Sequence, residues 1–202
     1  LGWSPKSAES EILSLDEISK IFDLSDINKA GAKFSWEKLN WINSQYIKNM
    51  DSIKLREIIW KDWDIMGWEP PSKEWAMKLV ILIKDSMTLL KDGIDQSKPF
   101  FLLPPIQKEG QNFLETKDSE ISLKLILNHL IEQKIFKLNK EKGKEIINEI
   151  SKKHNVKKGL LMKSLRVAFF GSLSGPDLIQ SWELFSESKT DISRIERCLK
   201  SI

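Results

Sequence analysis

The sequence predicts an all-α protein, and three features of its 202 residues carry that expectation. Apolar residues recur mainly at helical spacing, stretches alternating apolar and polar residues are short and rare, and helix-start signals are frequent. A parallel sheet is not expected.

Taken in order, the first helix is expected over residues 14 to 22, where Ser14 followed by Glu17 offers a capping box. A second is expected over 35 to 49, with Ser35 ahead of Trp36. On that helix Trp36, Leu39 and Asn43 share one side while Asn40, Ser44 and Lys48 share another, an apolar anchor with a polar face. A third helix, 51 to 66, runs into the sequence GWEPP, whose Pro70 and Pro71 end a helix while Ser72 can cap the next. This break divides the chain into two expected subdomains, residues 1–69 and 70–202. Further helices are expected over 72 to 91, 119 to 134 (opened by Ser119 ahead of Glu120), 140 to 154, 157 to 169, 175 to 185 and 188 to 201. The proline-bearing stretch PFFLLPP, from 99 to 105, and the turn GSLSGP, from 171 to 176, interrupt the pattern, with Pro176 behind Gly175 reading as a first helical residue. Between 67 and 117 no motif can be placed, and helices there rest on periodicity alone.

With 41% apolar and 30% charged residues the chain has the composition of a folded soluble protein, one large domain or two small ones. Cys198 stands alone, so it makes no internal disulfide; a core thiol in a reducing cytosol fits it. The apolar run around Val80 to Ile83 is far short of a membrane span, and the start lacks a signal peptide, so a cytoplasmic protein that does not enter membranes is expected. Residue 1 is Leu rather than Met, and LGWSP reads like the end of an ordered element, so a piece of something longer is expected. The net charge of +3 decides nothing, but its distribution is uneven. Residues 134 to 166 carry eleven Lys and Arg against three acids, a local +8 that leaves the rest at −5. Seven of the eight Trp fall in the first 75 residues, and most are expected to be core aromatics bridging short helices rather than partners for stacked bases.

Catalytic constellations are missing. His129 and His154 lie in different helical patterns without a Cys or second His at ligand spacing, so solvent-facing or capping roles are expected and no metal site is. GSLSGP lacks the lysine of a phosphate-cradling loop, and its serine directly follows the first glycine, unlike a nucleophile elbow. Asp and Glu sit mainly among Lys, as on a solvated charged face.

Three blocks occur together in order: LGWSP at 1 to 5, NKAGAKFSWEKLNWINSQYI at 28 to 47, and LRVAFFGSLSGPDL at 165 to 178. They resemble bacterial-type glutamyl-tRNA synthetases: the sequence leaving the catalytic domain, the segment after it, and the family signature LRxALTGxxxGPxL. The resemblance implies two packed helical subdomains of the class I synthetase anticodon-binding type, the first leaning on the tRNA stem and the second holding the anticodon loop. The family's ATP-binding HIGH and KMSKS motifs are absent; LLMKSL, at 160 to 165, superficially resembles the latter but precedes the LR signature, where the family has a stretch ending in Pro and this chain has Ser164. Binding without catalysis is therefore expected, with no catalytic residue and no cofactor here, ATP and Mg belonging to a parent catalytic domain.

Unpaired loop bases are what proteins read sequence-specifically in RNA, and an Arg fork can grip a base edge or phosphate bidentately. Arg166 is the first candidate, its alternative being a surface Arg paired with a Glu on a neighbouring helix. By position the resemblance carries contacts with the first two anticodon bases to Arg166, Gly175, Pro176 and Leu178. The bend at Gly171, Gly175 and Pro176 can expose backbone donors at a helix N-terminus, or be only a capping turn, and Leu178 can be plain core. In KLNW, Asn40 stands where some family members carry an Arg that checks the third anticodon base, which implies an enzyme accepting tRNA(Gln) as well as tRNA(Glu). Asn43, Gln45, Lys48, Lys157, Lys158 and Lys163 are expected to touch the tRNA backbone, although Lys-rich helices are often only solubilising. A monomer is expected, and the alternative function is a helical protein-interaction module derived from the synthetase fold.

Overall fold

Ser14 accepts from the Glu17 amide while the Glu17 carboxylate accepts from Ser14 N at 2.7 Å, closing the box that starts α1 (Leu15–Ile21). Asp23 opens a 3-10 turn (Leu24–Asp26), and Ser35 caps α2 (Trp36–Asn49). Asp51 takes the amides of Ile53 and Lys54 at 3.0 Å to start α3 (Ser52–Ile65), and Ser72 takes that of Trp75 to start α4 (Lys73–Lys84). The remaining helices are α5 (Asp92–Phe101), α6 (Lys108–Leu114), α7 (Lys117–Glu132), α8 (Lys140–His154), α9 (Lys158–Phe170), α10 (Leu178–Glu187) and α11 (Asp191–Lys200). The computed structural model describes residues 2–3, 5, 12–28, 31 and 33–201; Leu1 and Ser4 of LGWSP, and Lys29, Ala30 and Ala32 of the second block, lie outside them. All the described secondary structure is helical, as the periodicity predicts.

Several boundaries differ, each for a local reason. The helix expected over 72 to 91 stops at Lys84, because the Asp92 carboxylate takes the amides of Thr88 and Leu89 at 2.8 Å and folds 85 to 91 into turns leading into α5. Ser119 does not cap: it is buried in α7 and donates its hydroxyl to Leu114 O and Thr116 O at 2.9 and 2.7 Å. At the last break Asp177, not Gly175, is the cap, so α10 begins two residues after Pro176.

The expected division at 69/70 falls at the turn between α3 and α4, which pack directly on each other and on α5. The turn therefore closes a hairpin. Its aromatics continue into the second group of helices: Trp63, Trp68 and Trp75 meet Phe101 at 5.2 to 5.3 Å, Phe100 stacks on Phe185 at 4.9 Å, and Phe185 meets Phe169 at 4.9 Å. Trp75 Nε1 also donates to Leu184 O at 2.9 Å, joining α4 to α10. One apolar core thus runs through α3 to α11.

The tryptophans divide. Trp63, Trp68, Trp75 and Trp182 are core, whereas Trp36 is 70% exposed and Trp41 and Leu39 are also exposed, against the expected apolar anchor. The cause is position along α2: residues 36 to 41 all stand in solvent, and only the C-terminal half, through Ile47, is covered. Phe34 and Trp36 pair edge-on at 4.9 Å in that exposed part. Among the described residues no helix is long and apolar enough to cross a membrane.

Candidate nucleic-acid interface

The sequence LRVAFF makes the C-terminal half of α9 buried but for one polar opening. Leu165, Val167, Ala168, Phe169 and Phe170 are buried, and Arg166 faces outward at the edge. Ser164 lies in uninterrupted helix, donating to Leu160 O at 3.0 Å, so no turn occurs where the resembling family has Pro.

Gly171 ends α9 with φ +67, and a side chain there is doubly forbidden. Its Cβ would stand 2.2 Å from Pro105 O. Beyond it the chain bends through Gly175, at φ +148, and the Arg166 guanidinium closes the bend: Nη1 donates to Gly175 O at 2.9 Å and to Pro176 O at 2.8 Å. Among the described residues Nη2 and Nε of Arg166 have no hydrogen-bond partner. Burial pulls this guanidinium below the usual arginine value, and the nearby Asp177 carboxylate offsets part of that. Among the described residues the Glu-paired alternative for Arg166 does not occur; its partners are backbone carbonyls.

Two parts of the expected site change. Leu178 is only 1% exposed and belongs to the core, so it offers nothing to a ligand directly. Of the two readings of the helix start behind the bend, the capping turn is the one present: Asp177 accepts from Gln180 N at 2.9 Å and places a carboxylate beside the donors. The complementary situation exists at the other end of α9. No side chain caps it, its first turn holds no acid, and Lys157 and Lys158 are both exposed there. Helix-start amides and two ammoniums then add to one positive potential that favours an anion. Lys163 is exposed one turn before Arg166, and Lys158 and Arg166 stand about 12 Å apart along the helix axis.

The residues expected on α2 sit elsewhere. Asn40 and Lys48 are exposed, but Asn43 turns inward and its amide donates to Thr88 O at 2.5 Å, tying α2 to the turns after α4. Its amide is thereby engaged in packing, which corrects the backbone-contact role expected for it. Gln45 is half-buried beside Ser44. α9 packs against α6, α7, α8, α10 and α11, so the structure does not join Asn40 to the Arg166 bend.

Sequence reasoning missed other polar features. His129 faces Glu149 across α7 and α8 at 3.5 Å. Lys78 of α4 bridges Glu183 and Glu187 of α10 at 2.6 and 2.7 Å. Arg56, Trp60, Lys61 and Lys73, with Glu57, line a cleft of about 280 Å³ on α3 and α4. On α11 Arg194 is buried, its Nη1 donating to Phe169 O at 3.0 Å and its plane lying 4.3 Å over Phe185. A signal for it existed: Asp191, Arg194, Ile195 and Cys198 recur at one helical face, and all four are buried. Asp191 is held above the usual carboxylate value by its burial, although Ile192 N and Trp182 Nε1, the latter at 3.3 Å, work against that.

Comparison with known proteins gives a consistent picture. The family described as "Anticodon binding domain" matches residues 45–199. A glutamate–tRNA ligase of Prochlorococcus marinus strain MIT 9312 is 84% identical over all 202 residues, and one of strain MIT 9215 is 82% identical. The chain spans 42% of the length of each of these curated relatives. Among solved structures, a glutamate tRNA ligase from Elizabethkingia meningosepticum in complex with its amino acid has a TM-score of 0.88 at 32% identity, covering 99% of this chain and 39% of that one. A glutamate–tRNA synthetase from Elizabethkingia anophelis has a TM-score of 0.83 at 32% identity, covering 99% of this chain and 38% of that one.

Proposed function

This chain belongs to the anticodon binding domain family, and from that membership we propose that it holds the anticodon loop of tRNA(Glu) for a glutamate–tRNA ligase. The observation that carries the reading is the Arg166 guanidinium, pinned by one nitrogen to the Gly175–Pro176 bend with its other donors unengaged among the described residues. A guanidinium so fixed has given up its side-chain entropy before any ligand arrives, and its fork is ready for a base edge or phosphate. Lys157, Lys158 and Lys163 extend the same helix with positive charge suited to the RNA backbone, while Lys48 and Gln45 supply a second contact from α2. Gly175 and Pro176 act through their carbonyls, which orient Arg166, and Leu178 supports the bend from the core.

Asn40, exposed and shorter than an Arg fork, makes tRNA(Gln) a second partner, a non-discriminating pattern in the parent ligase. The protein works as a monomer in the cytoplasm. The sequence has no glycine–lysine phosphate loop, and no three His, Cys, Asp or Glu converge among the described residues. ATP and Mg belong, on this reading, to the catalytic part of the parent ligase.

Binding of tRNA(Glu) and tRNA(Gln) to the wild-type chain and to Arg166→Ala, followed by fluorescence anisotropy, tests the proposal. Both tRNAs are expected to bind the wild type within a few-fold, and the variant to bind both about tenfold or more weakly, since charged hydrogen bonds contribute about 1.5–3 kcal/mol. Unchanged binding by Arg166→Ala removes the reading role, and strict rejection of tRNA(Gln) removes the dual specificity.

A further inference from the structure

The bend that presents Arg166 is held from behind by a second layer of arginines. Residues 102 to 107 cross under it between α5 and α6, with two consecutive prolines, Pro104 and Pro105, that have no amide to donate. Gln107 N donates to Gly171 O at 2.8 Å, and Pro105 O lies against Gly171 with no space for a methyl group. Gly110 of α6 approaches the same Gly171 O, where its own Cβ would stand 2.8 Å away. This crossing segment is gripped in turn by α11: Arg197 Nη2 donates to Pro104 O at 2.9 Å, Arg194 Nη2 to Leu102 O at 3.4 Å, and Arg194 Nη1 to Phe169 O in the last turn of α9.

Arg194 is the unusual member. Among the described residues this buried cation is met by carbonyls and the face of Phe185 and by no carboxylate, and its Nε is unpartnered. Burial, and then the neighbouring Arg197, pulls its pKa down to about 10, so it remains charged near neutrality. A buried charge without a counter-ion is unfavourable compared with an apolar side chain of similar size, so stability alone does not account for it. Its placement does: the positive charge lies at the negative end of the α9 dipole, at the residue two before Gly171.

We propose that Arg194 and Arg197 of α11 are positioning residues for the anticodon-reading bend, setting the height and register of Gly171 through residues 102 to 107, and hence the direction in which Arg166 points. This rests on the function proposed above. The segment behaves as a tie: α11 holds its carbonyls, and its far end holds Gly171, from which the bend and the two carbonyls that fix Arg166 follow.

Arg197 is the better probe, because it is partly exposed and the fold can tolerate its loss. The full chain would be titrated with an RNA hairpin carrying the glutamate anticodon and with the same hairpin carrying a scrambled loop, across a salt series and alongside thermal melts. Arg197→Ala is expected to lower the preference for the anticodon hairpin about tenfold, the scale of one charged hydrogen bond, leaving scrambled-loop binding and the salt slope unchanged. Arg197→Lys, which keeps charge and a donor, is expected to restore most of the preference, and Arg197→Gln to restore less. Equal weakening toward both hairpins, or full preference retained by Arg197→Ala, overturns the positioning role. If the wild type itself does not distinguish the hairpins, the proposed function fails first and the positioning role with it.

Discussion

Trp36 on α2 and Trp182 on α10 are the same side chain on two helices, yet the first is 70% exposed and the second fully buried. The contrast extends to their regions. α1 buries none of its residues and α2 only Ile47, while α10 buries eight of its ten, including Ser181, Glu183 and Ser186. Their surroundings differ as well. α10 lies between α4, α8, α9 and α11, and even its polar residues find partners, Glu183 with Lys78 and Ser186 Oγ with Leu138 N at 3.1 Å. α2 meets the body only along its C-terminal half, so its first apolar residues stand in solvent. A tryptophan stabilises the fold only where neighbours surround it.

Truncation should separate the two regions most sharply. Trp182→Ala is expected to destabilise by about 3–5 kcal/mol, through lost contacts with Phe169 and the cavity left behind. Trp36→Ala should change stability by no more than about 0.5 kcal/mol in the same denaturant titration. Equal losses would mean that α2 is packed as tightly as α10, and would break the comparison. Next in size, Gly171→Ala should cost on the order of 3 kcal/mol or more, because positive φ and contact with the Pro105 carbonyl oppose a methyl group together. Gly67→Ala, also at positive φ but with open space around it, should lose less, and the gap between the two variants measures the close approach alone. Smallest, Asn43→Ala should cost about 1–2 kcal/mol by leaving Thr88 O without its donor. A null effect on chemical denaturation would show that α2 is not tied to the body at that point.

The helical class was legible because period and caps agree locally: Ser14 with Glu17, Ser35 and Ser72 all cap as their sequences suggest. What was not legible depended on partners distant in sequence. α5 and the end of α4 are set by the Asp92 carboxylate reaching back to Thr88 and Leu89, a choice that apolar spacing does not encode. The exposure of Trp36 depends on where α2 overruns the body, and the inward turn of Asn43 on a carbonyl 45 positions later. At the candidate site the motif LRVAFFGSLSGPDL correctly joined Arg166 to Gly175 and Pro176, because the contact is local. For Leu178 and the helix start the sequence leaves two readings open, and the choice of core and capping turn depends on how α10 seats. The roles of the α11 arginines are not written in local sequence, because their acceptors, Leu102 and Pro104, lie more than ninety residues away.

The meeting of Pro105 with Gly171 also bears on how this sequence can change in length. Surface connections ordinarily accept extra residues at little thermodynamic cost. The connection from α5 to α6 is a spacer of fixed measure: one added residue between 102 and 107 would move either the carbonyls held by α11 or the amide held by Gly171 out of reach. Insertions and deletions should accordingly accumulate in other loops of this fold, and this one should drift in side chains while keeping its count.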